Sequence, residues 1–320
     1  MTKTNTKITG GEAVYRVLQA NGIGSVFGLL GGSMLELSDA VYQGGGIGYV
    51  GARDERAAGH MADAWARMTG KPGVVLGAQA GPGVVNIVTA VAEAQLAYSP
   101  LVVIAGAISR CDQAKDTFQE VDQVALFAPI SKRSVMVMVT DPARLAPMLE
   151  DAIRLANSGR RGPVVLHVPR DLFAAGVPAI DPKPVNIARP GPVAPDDISA
   201  IATLLATAQR PVIFAGGGLK WGKGRGALTA LAETLEVPVV ASTGHADVMV
   251  VLGARLGFNS TFHSNDYVGA DTRIAHVDID GSAVGRWLKS APHCPKTQSS
   301  PWTPANPACR RPTGWRIISR

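Results

Sequence analysis

The chain has 320 residues, of which 46% are hydrophobic and 18% are charged, and its formal net charge is +6 at pH 7. This length is sufficient for two domains of about 100–200 residues each. No apolar run approaches the roughly 20 residues that cross a membrane, and the polar start from Met1 to Lys7 lacks the apolar segment of a signal peptide. A cytoplasmic, globular protein is therefore expected.

The positive charge is concentrated at one end of the sequence. Residues 286–320 contain seven basic residues and no acidic one, which leaves 24 basic against 25 acidic residues in the rest of the chain. A polar, proline-rich segment of this kind cannot bury enough apolar area to fold, so a disordered basic tail is predicted at residues 289–320. Because no folded basic face is indicated, no nucleic-acid partner is expected. The three cysteines have no metal-ligand spacing.

Strand and helix patterns alternate through residues 1–171. Thr9 to Glu12 and Ser33 to Glu36 have the spacing of capping boxes, which predicts two helix starts. Strands are predicted at Ser25–Leu30, Ile47–Gly51, Val74–Ala78, Leu101–Ala105, Ser134–Val139 and Pro163–Val168. The nearly continuous apolar run Leu101–Ala105 is typical of a buried parallel strand. The helix that starts at Glu55 is predicted to bury one face, formed by Ala57, Met61, Ala64, Trp65 and Met68. This alternation predicts an α/β fold with a doubly wound parallel sheet.

A second, incomplete α/β domain is predicted after a proline-rich segment. Residues 172–195 contain six prolines and little periodicity, which indicates a semi-rigid linker. Residues 196–288 then resume the strand and helix pattern of a dinucleotide-binding-like domain. Only Ser242 to Asp247 separate its strands Val237–Ala241 and Val248–Leu252, whereas parallel neighbours need a crossover of about a dozen residues. A shortened and locally unstable central domain is therefore expected.

An acidic residue stands where the strand Ile47–Gly51 leads into a helix. Glu55 is expected at the carboxyl edge of the parallel sheet, where open α/β sheets bind their ligands. From this position alone, Glu55 is either a first-turn acid that stabilises the helix dipole or a proton carrier in a site. The segments around it favour the second reading.

Five short segments follow one another in an order that is typical of one enzyme family. They are Val26–Gly28 with Gly31–Gly32, Arg53–Ala62, Ala80–Asn86, Phe118–Asp122 and Gly162–Asp171. Together they resemble the N-terminal domain of thiamine diphosphate enzymes of the acetolactate synthase type. The resemblance covers most of residues 1–171, continues more loosely to about Arg286, and then ends. It implies that residues 1–171 bind the aminopyrimidine ring of thiamine diphosphate.

The resemblance also implies roles for individual residues. Glu55 would hydrogen-bond N1′ of the aminopyrimidine and act as the catalytic residue, in the decarboxylation of a small 2-oxo acid and the transfer of a two-carbon unit. Cofactor contacts would come from Gly28, Gly31, Gly32, Gly81, Pro82, Gly83 and Asn86. Substrate-site candidates are Phe118 and Gln119, which match positions at the entrance of the active site.

Simpler interpretations of these residues remain open. The first three glycines can serve a strand-to-helix turn that requires backbone freedom. Gly81, Pro82 and Gly83 can form an ordinary helix start, and Phe118 and Gln119 can belong to an exposed loop.

The chain departs from the family in its ligands for the diphosphate. It contains no Gly-Asp-Gly with a downstream Asn, the motif that holds Mg²⁺ and the diphosphate in the family. Only the aminopyrimidine half-site is therefore expected, with no metal ligands, and FAD is not expected in the central domain. A homodimer would not complete a site, whereas pairing with a full-length homologue would.

Three classes of function follow from these expectations. The preferred one is a truncated acetolactate synthase-like protein that is inactive alone, with oxalyl-CoA decarboxylase, sulfoacetaldehyde acetyltransferase and benzaldehyde lyase as sister activities. The second is a non-catalytic subunit or decoy that dimerises through its first domain. A nucleic-acid binder is the weakest, since it depends on the basic tail alone.

Overall fold

A computed structural model describes residues 7–77, 79–187, 191–240, 246–257, 268 and 272–284. The chain divides into two compact units, residues 1–188 and residues 189–320. Among the helices of these described ranges, none is both long and apolar enough to span a bilayer. The predicted tail at 289–320 lies outside the described residues.

The first unit is built around a six-stranded parallel sheet. Its helices and strands are, in chain order, β1 (Lys7–Thr9), α1 (Gly10–Ala20), β2 (Ser25–Leu29), α2 (Leu35–Gly44), β3 (Gly48–Gly51), α3 (Glu55–Thr69), β4 (Gly73–Gly77), α4 (Pro82–Val85), α5 (Val88–Ala97), β5 (Leu101–Ala107), α6 (Gln123–Phe127), β6 (Arg133–Met136), α7 (Leu145–Asn157), β7 (Val164–Pro169), α8 (Arg170–Ala174) and β8 (Gly176–Pro178). The strand order is β3-β2-β4-β5-β7-β6. The predicted doubly wound α/β fold is confirmed.

Helices cover both faces of this sheet. Val74 and Leu76 of β4 pack on one side against the apolar residues of α1, α2 and α7, whereas Val75 packs on the other side with those of α3 and α5. Successive side chains of a strand point to opposite faces, so both halves of the pattern are buried. The predicted continuous apolar strands are explained by this two-sided burial.

The start of α1 shows the predicted Thr9 cap, whereas the carboxylate of Glu12 accepts a hydrogen bond from Arg16 at 2.9 Å. The hydroxyl of Thr9 accepts a hydrogen bond from the backbone N–H of Glu12 at 3.0 Å, which satisfies one of the unpaired N–H groups of the first turn.

The buried face of α3 differs from the prediction. Ala58, Ala62 and Ala66 are fully buried, whereas Trp65 is 37% exposed and Met68 is 87% exposed. Helix α5 lies so close that a Cβ atom on Gly59 would stand 2.5 Å from Cβ of Ala90. Only small side chains fit at this approach. Met68 is left exposed, whereas the ring of Trp65 lies 6.1 Å from that of Phe27 on β2 and Met61 packs at the margin of the core.

The predicted linker differs from the structure in its first part. Residues 172–187 belong to the first unit, where β8 pairs antiparallel with β1. The backbone N–H of Val185 donates to the side-chain oxygen of Asn21 at 2.8 Å, and Arg16 donates to the carbonyl of Ile180 at 3.1 Å. Because these groups satisfy the backbone, the segment is held against the domain despite its prolines.

The second unit contains a four-stranded parallel sheet, in agreement with the predicted α/β class. Its elements are α9 (Pro195–Ala206), β9 (Pro211–Ala215), α10 (Gly224–Leu235), β10 (Val239–Val240), β11 (Val248–Leu252) and β12 (Arg273–Val277). The strand order is β10-β9-β11-β12. The sequence analysis assumed that β10 and β11 are neighbours. This assumption is wrong, because β9 lies between them and pairs with both. Most of their connection, residues 241–245, lies outside the described residues, and the expected instability stays a prediction.

The close packing of β2 against β4 can be tested by a substitution at Gly28. A Cβ atom there would stand 2.4 Å from the backbone oxygen of Leu76 on β4, whereas a Cβ atom on Gly24 would meet nothing within 4 Å. We expect Gly28→Ala to lower the free energy of unfolding by about 1–3 kcal/mol through overpacking. Gly24→Ala is the matched control and should change it by less than about 0.5 kcal/mol in urea unfolding. Equal effects of the two substitutions would contradict the close packing at Gly28.

Candidate active site

The loops that follow β2, β3 and β4 meet at one edge of the first sheet. Strand β2 pairs with β3 on one side and with β4 on the other. The helices after β2 and β3, α2 and α3, pack on opposite faces. The strand order thus reverses between β2 and β4, and such a switch point leaves a crevice outside the carboxyl ends of the strands.

Glu55 lies beside this crevice as the first residue of α3. The preceding residue, Asp54, caps the helix by accepting a hydrogen bond from the N–H of Arg56 at 2.8 Å. Glu55 is only 9% exposed, and its Oε2 accepts a hydrogen bond from Nδ2 of Asn86 at 3.0 Å. The structure therefore brings these two predicted site residues together. The partner of the carboxylate is a neutral amide rather than a cation.

The loop after β4 has a conformation that only glycine adopts easily. Gly81 has φ +71° and ψ −106°, and a Cβ atom on it would stand 2.4 Å from the carbonyl oxygen of Gln119. Pro82 follows as the first residue of α4, a position that suits its fixed φ. The segment is thus a helix start, and it also carries Asn86 to the carboxylate of Glu55.

Ser33 has a role that the capping-box spacing did not predict. It begins no cap for α2; its hydroxyl instead accepts a hydrogen bond from the backbone N–H of Ala80 at 3.0 Å. Ser33 is 4% exposed, so this bond joins the loops after β2 and β4 in the interior. Ser33 lies within a short 3-10 turn, Gly32–Met34, that precedes α2, and Met34 takes the N-cap position of that helix.

Sequence analysis predicted that Gly28, Gly31 and Gly32 serve a turn that requires backbone freedom. The structure does not show this requirement at Gly28 and Gly31. Gly31 has φ −144° and ψ 151°, an extended conformation that any residue adopts. Gly28 lies within β2 and provides space for the backbone of β4. Gly32 lies near the crevice, where a Cβ atom would stand 3.3 Å from Oε1 of Gln79.

Gln119 is connected to the crevice, whereas Phe118 is not buried in it. Nε2 of Gln79 donates to Oε1 of Gln119 at 2.8 Å, while Phe118 is 84% exposed. Their loop is ordered by Glu120, whose carboxylate accepts hydrogen bonds from the N–H groups of Ala114 at 2.6 Å and Thr117 at 3.0 Å. These backbone donors lower the pKa of Glu120. The loop is therefore exposed but constrained.

A buried polar group beside Gly81 was missed by sequence reasoning. Gln123 is 3% exposed and accepts a hydrogen bond from the N–H of Gly81 at 3.0 Å. Its Nε2 lies 3.1 Å from Nδ1 of His167, which is fully buried. Burial lowers the pKa of His167 to about 4, although the charge of Asp122 acts in the opposite direction. The only sequence signal was one polar residue in each of two otherwise apolar segments.

Metal ligands are not gathered anywhere in the part of the chain that the structure describes. No group of three or more His, Cys, Asp or Glu side chains is arranged there to hold an ion. The site at the crevice is instead made of one carboxylate, several amides and a glycine turn.

Two family models match the chain. The N-terminal TPP binding domain of thiamine pyrophosphate enzymes matches residues 8–126, and the central domain of the same enzymes matches residues 198–245. Thiamine pyrophosphate is another name for thiamine diphosphate. The first match contains Glu55, Asn86 and Gly81, and the chain therefore carries the N-terminal and central domains of the thiamine pyrophosphate enzyme family.

Similar proteins narrow this assignment. The acetolactate synthase large subunit of Buchnera aphidicola subsp. Acyrthosiphon pisum (strain APS) is 34% identical over 317 residues, which cover 88% of this chain and 55% of the relative. The large subunit of acetolactate synthase isozyme 3 from Escherichia coli (strain K12) is 33% identical, and the alignment covers 87% of this chain and 54% of the relative. A sulfoacetaldehyde acetyltransferase of Castellaniella defragrans is 34% identical, with 87% and 51% covered. The chain is an acetolactate synthase-like member of the family and spans about half the length of these relatives.

The alignment with the first of these relatives is longer than the part of this chain that it covers. Since 88% of 320 residues is about 282, the alignment of 317 positions leaves about 35 positions of the relative without a counterpart in this chain. The match to the central-domain model ends at His245, within the connection between β10 and β11. The shortening of the central domain stays a prediction.

The burial of His167 makes the stability of the first unit depend on pH. Its folded pKa of about 4 lies below the ordinary value of 6.5. Between these values the unfolded chain binds the proton and the folded one does not, so stability falls as the pH falls from 6.5 to 4. At about 1.4 kcal/mol per pH unit the loss is on the order of 3 kcal/mol.

Urea unfolding at pH 7 and at pH 4 measures this loss. Carboxylates also titrate in this range, and the variant His167→Asn serves as the control because it keeps them. We expect the wild type to lose on the order of 3 kcal/mol more than the variant. The same pH dependence in both proteins would show that His167 is not the group responsible.

Proposed function

We propose that this chain provides the aminopyrimidine side of a thiamine diphosphate site of the acetolactate synthase type, with Glu55 as the catalytic carboxylate. The observation that carries the proposal is the buried contact between Glu55 and Asn86 at the switch point of the sheet. The match of residues 8–126 to the TPP binding domain supports it.

The residues at the crevice fit the aminopyrimidine ring. Asn86 engages Oε2 of Glu55, and no donor among the described residues approaches Oε1, so one oxygen can meet a ring nitrogen. Gly81 lacks the Cβ atom that would clash with Gln119, so no side chain of residue 81 occupies the space beside the carboxylate. Gln79 and Gln119 add a polar pair at the rim.

Thiamine diphosphate, when bound, stabilises the negative charge that the loss of CO₂ leaves on a carbonyl carbon. The part of this chain is to hold and move a proton at the ring nitrogen through Glu55. Asn86 keeps the carboxylate pointed at the crevice, and the low exposure of Glu55 restricts its contact with water. Phe118, exposed on its constrained loop, is the proposed apolar contact for the substrate, with Gln119 as a polar one.

The diphosphate side of the site must come from outside these 320 residues. They contain no Gly-Asp-Gly, and their family matches are to the N-terminal and central domains. We propose that the chain does not turn over a 2-oxo acid alone and that Mg²⁺ and the diphosphate are held by the diphosphate-binding domain of a full-length homologue.

Complementation tests the role of Glu55. The chain is mixed with an acetolactate synthase large subunit in which the matching glutamate is replaced by glutamine, and acetolactate formed from pyruvate is measured. We expect the wild-type chain to restore product and Glu55→Gln to lower the restored rate by about 100-fold or more, since a proton transfer is lost.

Asp54→Asn is the matched control for this experiment. It removes the adjacent carboxylate but keeps a side chain that caps α3 equally well, so it should restore product like the wild type. Equal restoration by Glu55→Gln and the wild type would refute the assignment of the catalytic carboxylate.

A second candidate function is that of a non-catalytic subunit or decoy that dimerises through the first unit. The exposed apolar side chains of Trp65 and Met68 on α3 and Leu96 on the adjacent α5 favour it. Single exposed apolar residues are common, but several on adjacent helices mark a surface for association.

Sedimentation velocity tests this surface. We expect the wild-type chain to sediment as a dimer and Met68→Glu to shift it towards the monomer, because a charge in an apolar interface is not paired. Tyr42→Glu is the control, since Tyr42 is 82% exposed on α2 at the other face of the sheet. A wild-type monomer, or an equal shift in both variants, would count against dimerisation through α3.

A further inference from the structure

The backbone of Gly81 is held by a buried hydrogen-bonded chain that the proposed chemistry does not use. The chain joins three elements through Gln123 on α6, His167 on β7 and Ser134 on β6. Its first bond runs from the N–H of Gly81 to Oε1 of Gln123 at 3.0 Å. Gln123 and His167 are 3% and 0% exposed, so water does not substitute for these partners.

The hydrogen bonds that link Gly81, Gln123, His167 and Ser134 have one consistent direction. Because Oε1 of Gln123 accepts from Gly81, its Nε2 donates, to the carbonyl of Gly106 at 3.2 Å and to Nδ1 of His167 at 3.1 Å. Nδ1 is then an acceptor, and the ring proton lies on Nε2, which is 2.9 Å from the hydroxyl of Ser134. That hydroxyl donates to the carbonyl of Val124 at 3.0 Å. Each polar atom has a partner only in this arrangement.

The direction depends on a neutral His167. A proton on Nδ1 would face the NH₂ group of Gln123, donor against donor. Rotating the amide to relieve this contact would turn the NH₂ group towards the N–H of Gly81 and break that bond. Burial favours the neutral ring and acts against the opposing charge of Asp122.

The position of Gly81 is transmitted to the carboxylate of Glu55. The carbonyl of Gly81 accepts the N–H of Val85, and the carbonyl of Pro82 accepts the N–H of Asn86, within the single turn of α4. Asn86 then donates to Glu55. A shift of Gly81 therefore moves the amide that orients the catalytic carboxylate.

We propose that Gln123 is a positioning residue of this site: it fixes the loop that carries Asn86, and His167 and Ser134 fix the orientation of its amide. The inference rests on the proposed function of Glu55 and adds the device that keeps Glu55 aligned. Gln123 acts through Gly81 and Asn86 and has no contact with the carboxylate of its own.

Hydrogen exchange and NMR of the full chain test the proposal without any cofactor. In Gln123→Leu we expect the amide of Gly81 to exchange about tenfold faster or more, because its buried acceptor is lost. The exchange rates of amides in the central strand β5 should change only by the amount that the change in global stability explains.

Leu149→Ala is the matched control because it lowers stability from α7 on the other face of the sheet, away from Gly81. There the amide of Gly81 should change only as much as the amides of β5. If Gln123→Leu behaves in the same way, Gln123 is merely a core residue and the proposal fails.

Gln123→Glu gives a second, spectroscopic measurement. A carboxylate still accepts from Gly81 but cannot donate to Nδ1, so His167 should take up a proton and its pKa should rise from about 4. Nitrogen chemical shifts of His167 report both states. The wild-type ring must carry its proton on Nε2, and a proton on Nδ1 would overturn the proposal even if no variant folds.

These measurements separate the two claims. Hydrogen exchange of the Gly81 amide and the tautomer of the His167 ring report the alignment of the loop, whereas complementation by Glu55 variants reports the catalytic role. Faster exchange of Gly81 in Gln123→Leu, together with unchanged complementation by Glu55→Gln, would support the positioning device and refute the proposed catalytic role.

Discussion

The backbone between Gln79 and Asn86 is the constraint on which the site depends. Its N–H groups at Ala80 and Gly81 are bound by side chains that lie 47 and 42 residues away, those of Ser33 and Gln123. These bonds hold Gly81 in a conformation that only glycine adopts without strain. The end of the loop then presents Asn86 to Glu55, so the position of the carboxylate depends on the turn after β2 and on α6, which bind this loop.

The same site depends on close packing of α3 and α5. The alanine face of α3 and the contact of Gly59 with Ala90 bring the two helices together. Arg67 joins them further, since its guanidinium binds Asp63 on α3 at 2.5 Å and Glu93 on α5 at 3.0 Å. Asp63 is 4% exposed, and a buried carboxylate needs such a partner. Glu55 and Asn86 lie just before or at the start of this helix pair, so the pair sets their separation.

The proposed function places one side of a cofactor site on this chain. Glu55, Asn86 and the glycine turn form a wall with a single acidic group, and no metal-binding cluster exists among the described residues. Under the proposed function, the ring of the cofactor would lie against this wall, and the diphosphate would be held by the diphosphate-binding domain of a homologue. The family matches are to the N-terminal and central domains, and the chain spans about half the length of the relatives.

Much of the fold could be read from the sequence because local patterns determine local structure. The apolar strands, the Thr9 cap and the place of Glu55 at a strand end depend on residues that are neighbours in the chain. Spacing did not reveal the buried face of α3, because its apolar residues occur on two sides and only the approach of α5 decides which side is covered. The role of Ser33 was hidden for a related reason, since one hydroxyl can cap its own helix or bind a distant loop.

The sequence by itself determined the alternation of elements, the family and the identity of the candidate carboxylate. Only the tertiary structure decided that β9 stands between β10 and β11, that the proline-rich residues 172–187 belong to the first unit, and that Gln123, His167 and Ser134 form one hydrogen-bonded chain. Contacts of this kind join residues tens of positions apart, and their directions depend on which polar groups the folded chain removes from water.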